Sequence, residues 1–372
     1  MTTAHAVAAI AAFAGAGVML SAQIPASGGD PHRRLFSLGD FRLESGAVVP
    51  NAKIAYATFG VLNARRDNAI LVPSWYGADH HGYDFLIGTG LALDPAKYFI
   101  VATEMFANGF SSSPSNTPAP FDRSRFPAIA IRDNVAAARR VLTEELRIDH
   151  VRAVIGFSMG AQQAFQWAVS HPDFVDAIVG YCGTAKTYPH GAVRLESAIA
   201  ALTADSAFDN GNYTTPPIKG LTAWAYHWAA WVTSQEWWRR ELFKPEFATV
   251  AAALQGEVDR QMSRDPNNLI AQARTWQRHN VGDTAGFGGD VEKALRSIRV
   301  PVLYMPSATD LYFPVSDAEY ERAFIQNITF HPIPSLWGHR AGGGRSPEDA
   351  RFLNTEIGRF LEKSEGAVKW VW

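Results

Sequence analysis

Apolar residues in this chain gather into short continuous runs, and the stretches between them carry helical spacing. Asn68 to Pro73, Tyr98 to Thr103, His150 to Ile155, Ala177 to Tyr181, Val300 to Met305 and Ile328 to Phe330 are such runs. A run that is apolar on both faces suits a strand covered by helices on either side. Nearer the N-terminus, Leu35 to Leu43 and Lys53 to Phe59 read as two strands, joined through Ser45-Gly46 and a Pro50-Asn51 turn. Helical spacing occurs in Ile131 to Leu146, with Val135, Ala138, Val141, Leu142 and Leu146 on one side. It recurs in Ala161 to Ser170 and in Pro347 to Leu361, which begins after Ser346; a shorter helix is expected at Phe85 to Ala92. Gly109 to Pro127, rich in Ser, Pro, Asn and Thr, reads as an irregular loop.

Strands alternating with helices, without internal repeats, predict an α/β fold: a mostly parallel central sheet flanked by helices. The alternation stops between Lys186 and Ser297, where helix follows helix near Ala192 to Leu202, Leu221 to Arg240, Phe247 to Met262 and Leu269 to Arg278. That block holds Trp224, Trp228, Trp231, Trp237, Trp238 and Trp276, six of the chain's 11 tryptophans. A helical insertion between two strands is expected to cap the C-terminal edge of the sheet, where open α/β sheets place their sites. The expected organisation is a leader at 1–28, a core at 29–185 and 298–372, and a helical cap at 186–297.

Composition narrows the function classes. Hydrophobic residues at 47% and charged residues at 19% describe a globular chain with material for a core. A net charge of −2 offers no basic footprint for nucleic acid. The single cysteine, Cys182, excludes an intrachain disulfide and a cysteine-rich metal site, and its apolar surroundings read as core. Ala6 to Leu20 is a 15-residue apolar run, short for a membrane span and suited to a signal-peptide core, although no Lys or Arg precedes it. Export to the periplasm or beyond is favoured over a cytoplasmic location.

The chemistry centres on Gly156-Phe157-Ser158-Met159-Gly160, a Gly-x-Ser-x-Gly turn between a buried strand and a helix. A serine hydroxyl is a weak nucleophile and needs a base, itself oriented by a third group. In strand–turn–helix proteins these follow in the order acid, then histidine. Asp310 lies in the loop after Val302 to Met305, and His339 lies on a glycine-flanked loop after the last strand, 29 residues further on. Asp317, inside a helical pattern, is the weaker acid candidate. The oxyanion of an acyl-transfer intermediate needs two backbone N–H donors. Met159 at the helix start is one candidate, and Trp75, ahead of Tyr76, is the other. Tyr76, Phe157, Arg340, Trp224 and Trp228 are candidates for the substrate pocket. Asp79-His80-His81 has metal-ligating residue types, but no other ligand spacing supports a metal, and these residues are expected to shape the pocket entrance. No metal or cofactor is required by this chemistry.

With these residues the chain resembles the α/β-hydrolase fold, and within it the homoserine O-acetyltransferase-like branch. The resemblance runs from about Phe36 to Leu361. It is carried by Gly156 to Gly160 with Gln163-Ala164-Phe165-Gln166-Trp167-Ala168 and Pro172-Asp173, by the Gly109 to Pro118 loop, by the cap's position and by Gly338-His339. It implies a Ser158–His339–Asp310 triad, an acyl-enzyme and a homodimer formed through the cap. Two departures bear on the substrate. Homoserine acetyltransferases usually carry an aspartate directly after the histidine, where this chain has Arg340, and their loop after the fourth strand differs from Gly109 to Pro114 here. The expected function is therefore hydrolysis of a carboxylic ester or related acyl bond of a small molecule. The runner-up is acyl transfer from acyl-CoA to an alcohol, and a non-catalytic binding protein on the same fold is more distant.

Overall fold

The computed structural model describes residues 30–365; the leader expected at 1–28 and the Trp370-Val371-Trp372 tail lie outside the described residues. Eight strands form one sheet: β1 (Arg34–Arg42), β2 (Val48–Phe59), β3 (Ala69–Pro73), β4 (Phe99–Thr103), β5 (Ala153–Phe157), β6 (Ile178–Tyr181), β7 (Val302–Met305) and β8 (Ile328–Phe330). Their spatial order is β1-β2-β4-β3-β5-β6-β7-β8; β1 and β2 run antiparallel to their neighbours, and every pair from β4 to β8 is parallel. The connecting helices are α1 (Ile131–Arg140) and α2 (Met159–Ser170), then α3 (Pro189–Thr203), α4 (Ile218–Val232), α5 (Gln235–Arg239), α6 (Val250–Met262), α7 (Pro266–Gln277) and α8 (Val291–Arg296). α9 (Val315–Arg322) lies between β7 and β8, and α10 (Pro347–Glu365) closes the described chain.

Side chains on a strand alternate between its two faces, so each continuous apolar run feeds two cores. Leu71, Val101, Val154 and Ile178 face one core, which includes Phe165 and Trp167 of α2. Ile70, Val72, Ile100, Ile155 and Val179 face the other, which Leu353, Ile357 and Leu361 of α10 complete. Within the insertion, Trp237 of α5, Phe243 and Ala253 of α6 form a small cluster of their own, but the larger part joins the core of the sheet. Leu195, Trp224, Trp228 and Trp276 belong to the same apolar cluster as the α2 face of the sheet. That continuity fixes the insertion firmly over the C-terminal ends of the parallel strands.

Three local expectations give way. Pro50 and Asn51 lie within β2, and the turn between β1 and β2 is instead closed by Gly46 N–H to Leu43 C=O (2.9 Å) and Leu43 N–H to Ala47 C=O (2.8 Å). Irregular register against β1 and the positive φ of 48° at Asn51 absorb the disturbance. Phe85 to Ala92 is irregular rather than helical. Its backbone is satisfied from outside by Asn354 of α10, which accepts from Ala92 N–H (2.9 Å) and donates to Phe85 C=O (2.9 Å). The pattern over Leu221 to Arg240 divides into α4 and α5, because Ser234 caps a new start by accepting the Trp237 N–H at 3.0 Å.

Candidate active site

The turn at Ser158 is built by close packing. A Cβ on Gly156 would lie 2.0 Å from the Gly160 carbonyl oxygen, and one on Gly160 would lie 2.5 Å from that of Pro73. Only glycine permits strand and helix to approach this closely. Ser158 itself takes φ 56°, ψ −121°, a conformation that costs a non-glycine residue about 1–3 kcal/mol and is held by the surrounding structure. The strain lifts the hydroxyl off the end of β5 at the start of α2.

Two loops bring the partners. Asp310 follows β7, and its Oδ1 accepts the N–H groups of Tyr312 (2.7 Å) and Phe313 (3.2 Å). Its Oδ2 lies 2.7 Å from His339 Nδ1, and His339 Nε2 lies 2.9 Å from Ser158 Oγ. Because an ionised carboxylate only accepts, His339 carries its proton on Nδ1 and presents a bare Nε2 to the serine. The imidazole is clamped by rings, with Phe157 stacked at 4.8 Å and Tyr312 at 4.7 Å between centroids. All three polar residues are buried. Asp317 lies in α9, as its helical pattern implied.

The loop after β3 is fixed on both sides of Trp75 and Tyr76. Ser74 N–H bonds Thr103 C=O (2.8 Å), Gln163 Nε2 donates to Ser74 C=O (2.9 Å), and Gly77 N–H donates to Gln272 Oε1 (2.7 Å). Tyr83 braces it against the elbow, donating to Pro73 C=O (2.7 Å) and accepting from Phe157 N–H (3.2 Å). Among the described residues, the N–H groups of Trp75, Tyr76 and Met159 have no protein acceptor.

A cavity of about 560 Å³ opens above Ser158 and His339. Tyr76, Phe157, Trp228 and Arg340 line it as expected, and so does Trp75. Trp224 does not: it is fully buried in the core behind Trp228, at 5.6 Å between ring centroids. Its place four residues before Trp228 puts both on one side of α4, but only Trp228 reaches the wall. Trp276, Tyr312, Glu257, Arg260, Arg264 and Arg345, outside the sequence motifs, also line the cavity. Tyr312 stands two residues past Asp310 and Arg345 six past His339, whereas Glu257, Arg260 and Trp276 come from the distant helices α6 and α7 and Arg264 from the turn between them. Burial pushes the Glu257 carboxyl up, but Arg340 (2.7 Å) and Arg260 beside it more than offset this and hold it below the usual range.

Of the Asp79-His80-His81 group, His81 borders the cavity while His80 is fully buried beneath it. His80 Nδ1 lies 2.7 Å from Glu104 and its Nε2 2.9 Å from Asp30. Asp30, His80 and His81, and likewise Asp79, His80 and Glu104, hold their ligating atoms close enough for one cation. The Arg33 guanidinium already supplies positive charge there, 3.0 Å from Glu104 and 2.8 Å from Asp79.

A strained serine between a parallel strand and its helix, with an imidazole and a carboxylate on the loops of later strands, defines the class as an α/β enzyme built for nucleophilic acyl chemistry. The family described as alpha/beta hydrolase fold matches residues 70–340, and the chain belongs to it. It is 38% identical over 335 residues to an ethyl acetate hydrolase of Pseudomonas veronii, covering 88% of this chain and 95% of that one. A homoserine O-acetyltransferase of Methanosalsum zhilinae is 35% identical over 358 residues, covering 87% of this chain and 71% of that one. The solved structure of an acetylester hydrolase from Corynebacterium glutamicum superposes with a TM-score of 0.86 at 34% identity, covering 89% of this chain and 96% of that one. Esterases and homoserine acetyltransferases are thus both relatives, as the sequence motifs implied.

Proposed function

We propose that this protein hydrolyses carboxylic esters of small molecules through an acyl-enzyme on Ser158. The observation that carries the reading is the continuous chain Ser158 Oγ–His339 Nε2, His339 Nδ1–Asp310 Oδ2 at the floor of an open cavity. His339 takes the serine proton as Oγ attacks the ester carbonyl, and the tetrahedral oxyanion is held by the N–H groups of Met159 and Trp75. Collapse expels the alcohol, which takes the proton back from His339. Water, deprotonated by the same imidazole, then attacks the acyl-enzyme and releases the acid. Asp310 keeps its charge throughout, holding the imidazole's tautomer and stabilising the imidazolium.

Similarity to an ethyl acetate hydrolase and an acetylester hydrolase supports short acyl groups, and the aromatic walls suit small apolar alcohols. The test is initial-rate hydrolysis of p-nitrophenyl and ethyl esters of increasing acyl length, with Ser158→Ala alongside. Turnover confined to short esters and abolished by Ser158→Ala supports the reading; no turnover, or turnover indifferent to the serine, ends it. Acetyl transfer to an added alcohol outrunning acetate release would favour the transferase instead. The same reading includes a homodimer through the helical insertion, supported by Val193 and Tyr226 of α3 and α4, which are 69% and 49% exposed. Light scattering at micromolar concentration reads it, and a monomer contradicts it.

A further inference from the structure

The cavity above Ser158 is more positive than the chain that builds it. The whole protein carries a net charge of −2, yet Arg260, Arg264, Arg340 and Arg345 line this cavity against two carboxylates, Glu257 and Asp84. Glu257 is shared between Arg340 and Arg260. Asp84 is engaged by His81 Nδ1 at 3.0 Å on the opposite wall. The guanidinium groups of Arg264 and Arg345 have no hydrogen bond or ion pair with any protein group among the described residues. Arg345 is exposed at the rim, whereas Arg264 is half-buried. A guanidinium that gives up part of its hydration without gaining a counter-ion is costly, and the missing charge is then the ligand's to supply.

The position of Arg264 ties it to the reaction centre. Its guanidinium lies against the backbone of Gly77, where a Cβ would fall 1.8 Å from Nη1. Gly77 has φ 63° and is two residues past Trp75, in the loop that offers an oxyanion donor. The free cation therefore stands over the segment that faces the scissile carbonyl, not at a remote surface. Gln272 of α7 and Arg264, in the turn before that helix, both reach this loop from the helical insertion, so the insertion both fixes the loop and charges it.

We infer that Arg264, with Arg345 at the rim, forms an anion subsite, and that the preferred esters carry a carboxylate a few bonds from the ester group. One carboxylate accepts two N–H groups of a single guanidinium side by side, a demand that one free arginine meets. Turnover of such esters rests on the hydrolase reading; their binding does not.

Two pairs of esters, matched in shape and differing in charge, test this. Monoethyl succinate against ethyl 4-methylpentanoate places the charge on the acyl side. Acetoxyacetate against isobutyl acetate places it on the alcohol side. In wild-type protein the anionic member of at least one pair is expected to show kcat/KM about tenfold or more above its neutral partner, the ratio falling as salt screens the charge. Arg264→Gln is expected to bring that ratio close to one, and Arg264→Lys to retain part of it. Reading a ratio cancels any general loss of activity in the variants. Calorimetric binding of the same pairs to Ser158→Ala protein gives a readout free of turnover. Ratios at or below one in both pairs, or ratios unmoved by Arg264→Gln, overturn the inference. Serine-dependent hydrolysis without anion preference would remove the subsite and leave the hydrolase. Preferential binding of the anionic member without turnover of any ester would do the reverse.

Discussion

Replacing Asp310 with asparagine isolates what the carboxylate does for the imidazole. The asparagine oxygen can keep the Tyr312 and Phe313 N–H groups that Oδ1 accepts now, at 2.7 and 3.2 Å. Its amide nitrogen then faces His339 Nδ1 across the present 2.7 Å contact, and as a donor it requires Nδ1 to be bare. The ring proton moves to Nε2, 2.9 Å from Ser158 Oγ, where a base is needed and a donor is useless. Loss of this orientation costs about 10⁴ in kcat, or roughly 5.5 kcal/mol at 1.36 kcal/mol per factor of ten. Asp310 sits behind His339 and does not line the cavity, so KM is expected to stay near the wild-type value. Initial rates on p-nitrophenyl acetate give both constants, and circular dichroism shows that the variant is folded. A folded Asp310→Asn protein with kcat within tenfold of wild type would refute the reasoning.

Two further predictions concern the frame around the site. Tyr83→Phe strands the Phe157 N–H and the Pro73 C=O that the buried hydroxyl now joins, and is expected to lower stability by about 1–3 kcal/mol; an unchanged urea midpoint would contradict that. Burial pushes the Glu321 carboxyl up to about 7 from 4.5, against the opposing effect of Ala185 N–H and the Tyr304 and Tyr188 hydroxyls. Since the folded state holds this proton more tightly, the stability it contributes is full below about pH 4.5 and is lost as pH rises through about 7, some 3 kcal/mol in all. Glu321→Gln cannot titrate, so its unfolding midpoint is expected to fall less than wild type between pH 5 and pH 8, and parallel profiles would show the group is not responsible.

What could be read from the sequence was chemistry that local sterics encode. Gly156 and Gly160 mark a turn that no larger residue can make, and Asp310 and His339 stand in loops directly after apolar runs. The continuous runs themselves announced strands covered on both faces. What could not be read depends on partners far along the chain. Phe85 to Ala92 has helical spacing, yet Asn354, more than 260 residues away, satisfies its backbone in an irregular form. Pro50 and Asn51 look like a turn, and it is the pairing of the flanking Val49 and Ala52 with β1 that keeps them in β2. Trp224 and Trp228 share a helix, and nothing in their spacing says which one meets the cavity. Arg264 reaches Gly77 across 187 positions, and no motif marks it.

The proposed hydrolysis depends on a covalent acyl group on Ser158. Protein mixed with p-nitrophenyl acetate, acid-quenched within milliseconds and analysed by intact mass and peptide mapping, tests it most directly. A gain of one acetyl group, mapped to Ser158, is expected; it decays at the rate of steady-state turnover and is absent from Ser158→Ala. Full turnover by Ser158→Ala, or an acetyl group mapped to another residue that turns over at the catalytic rate, would contradict it.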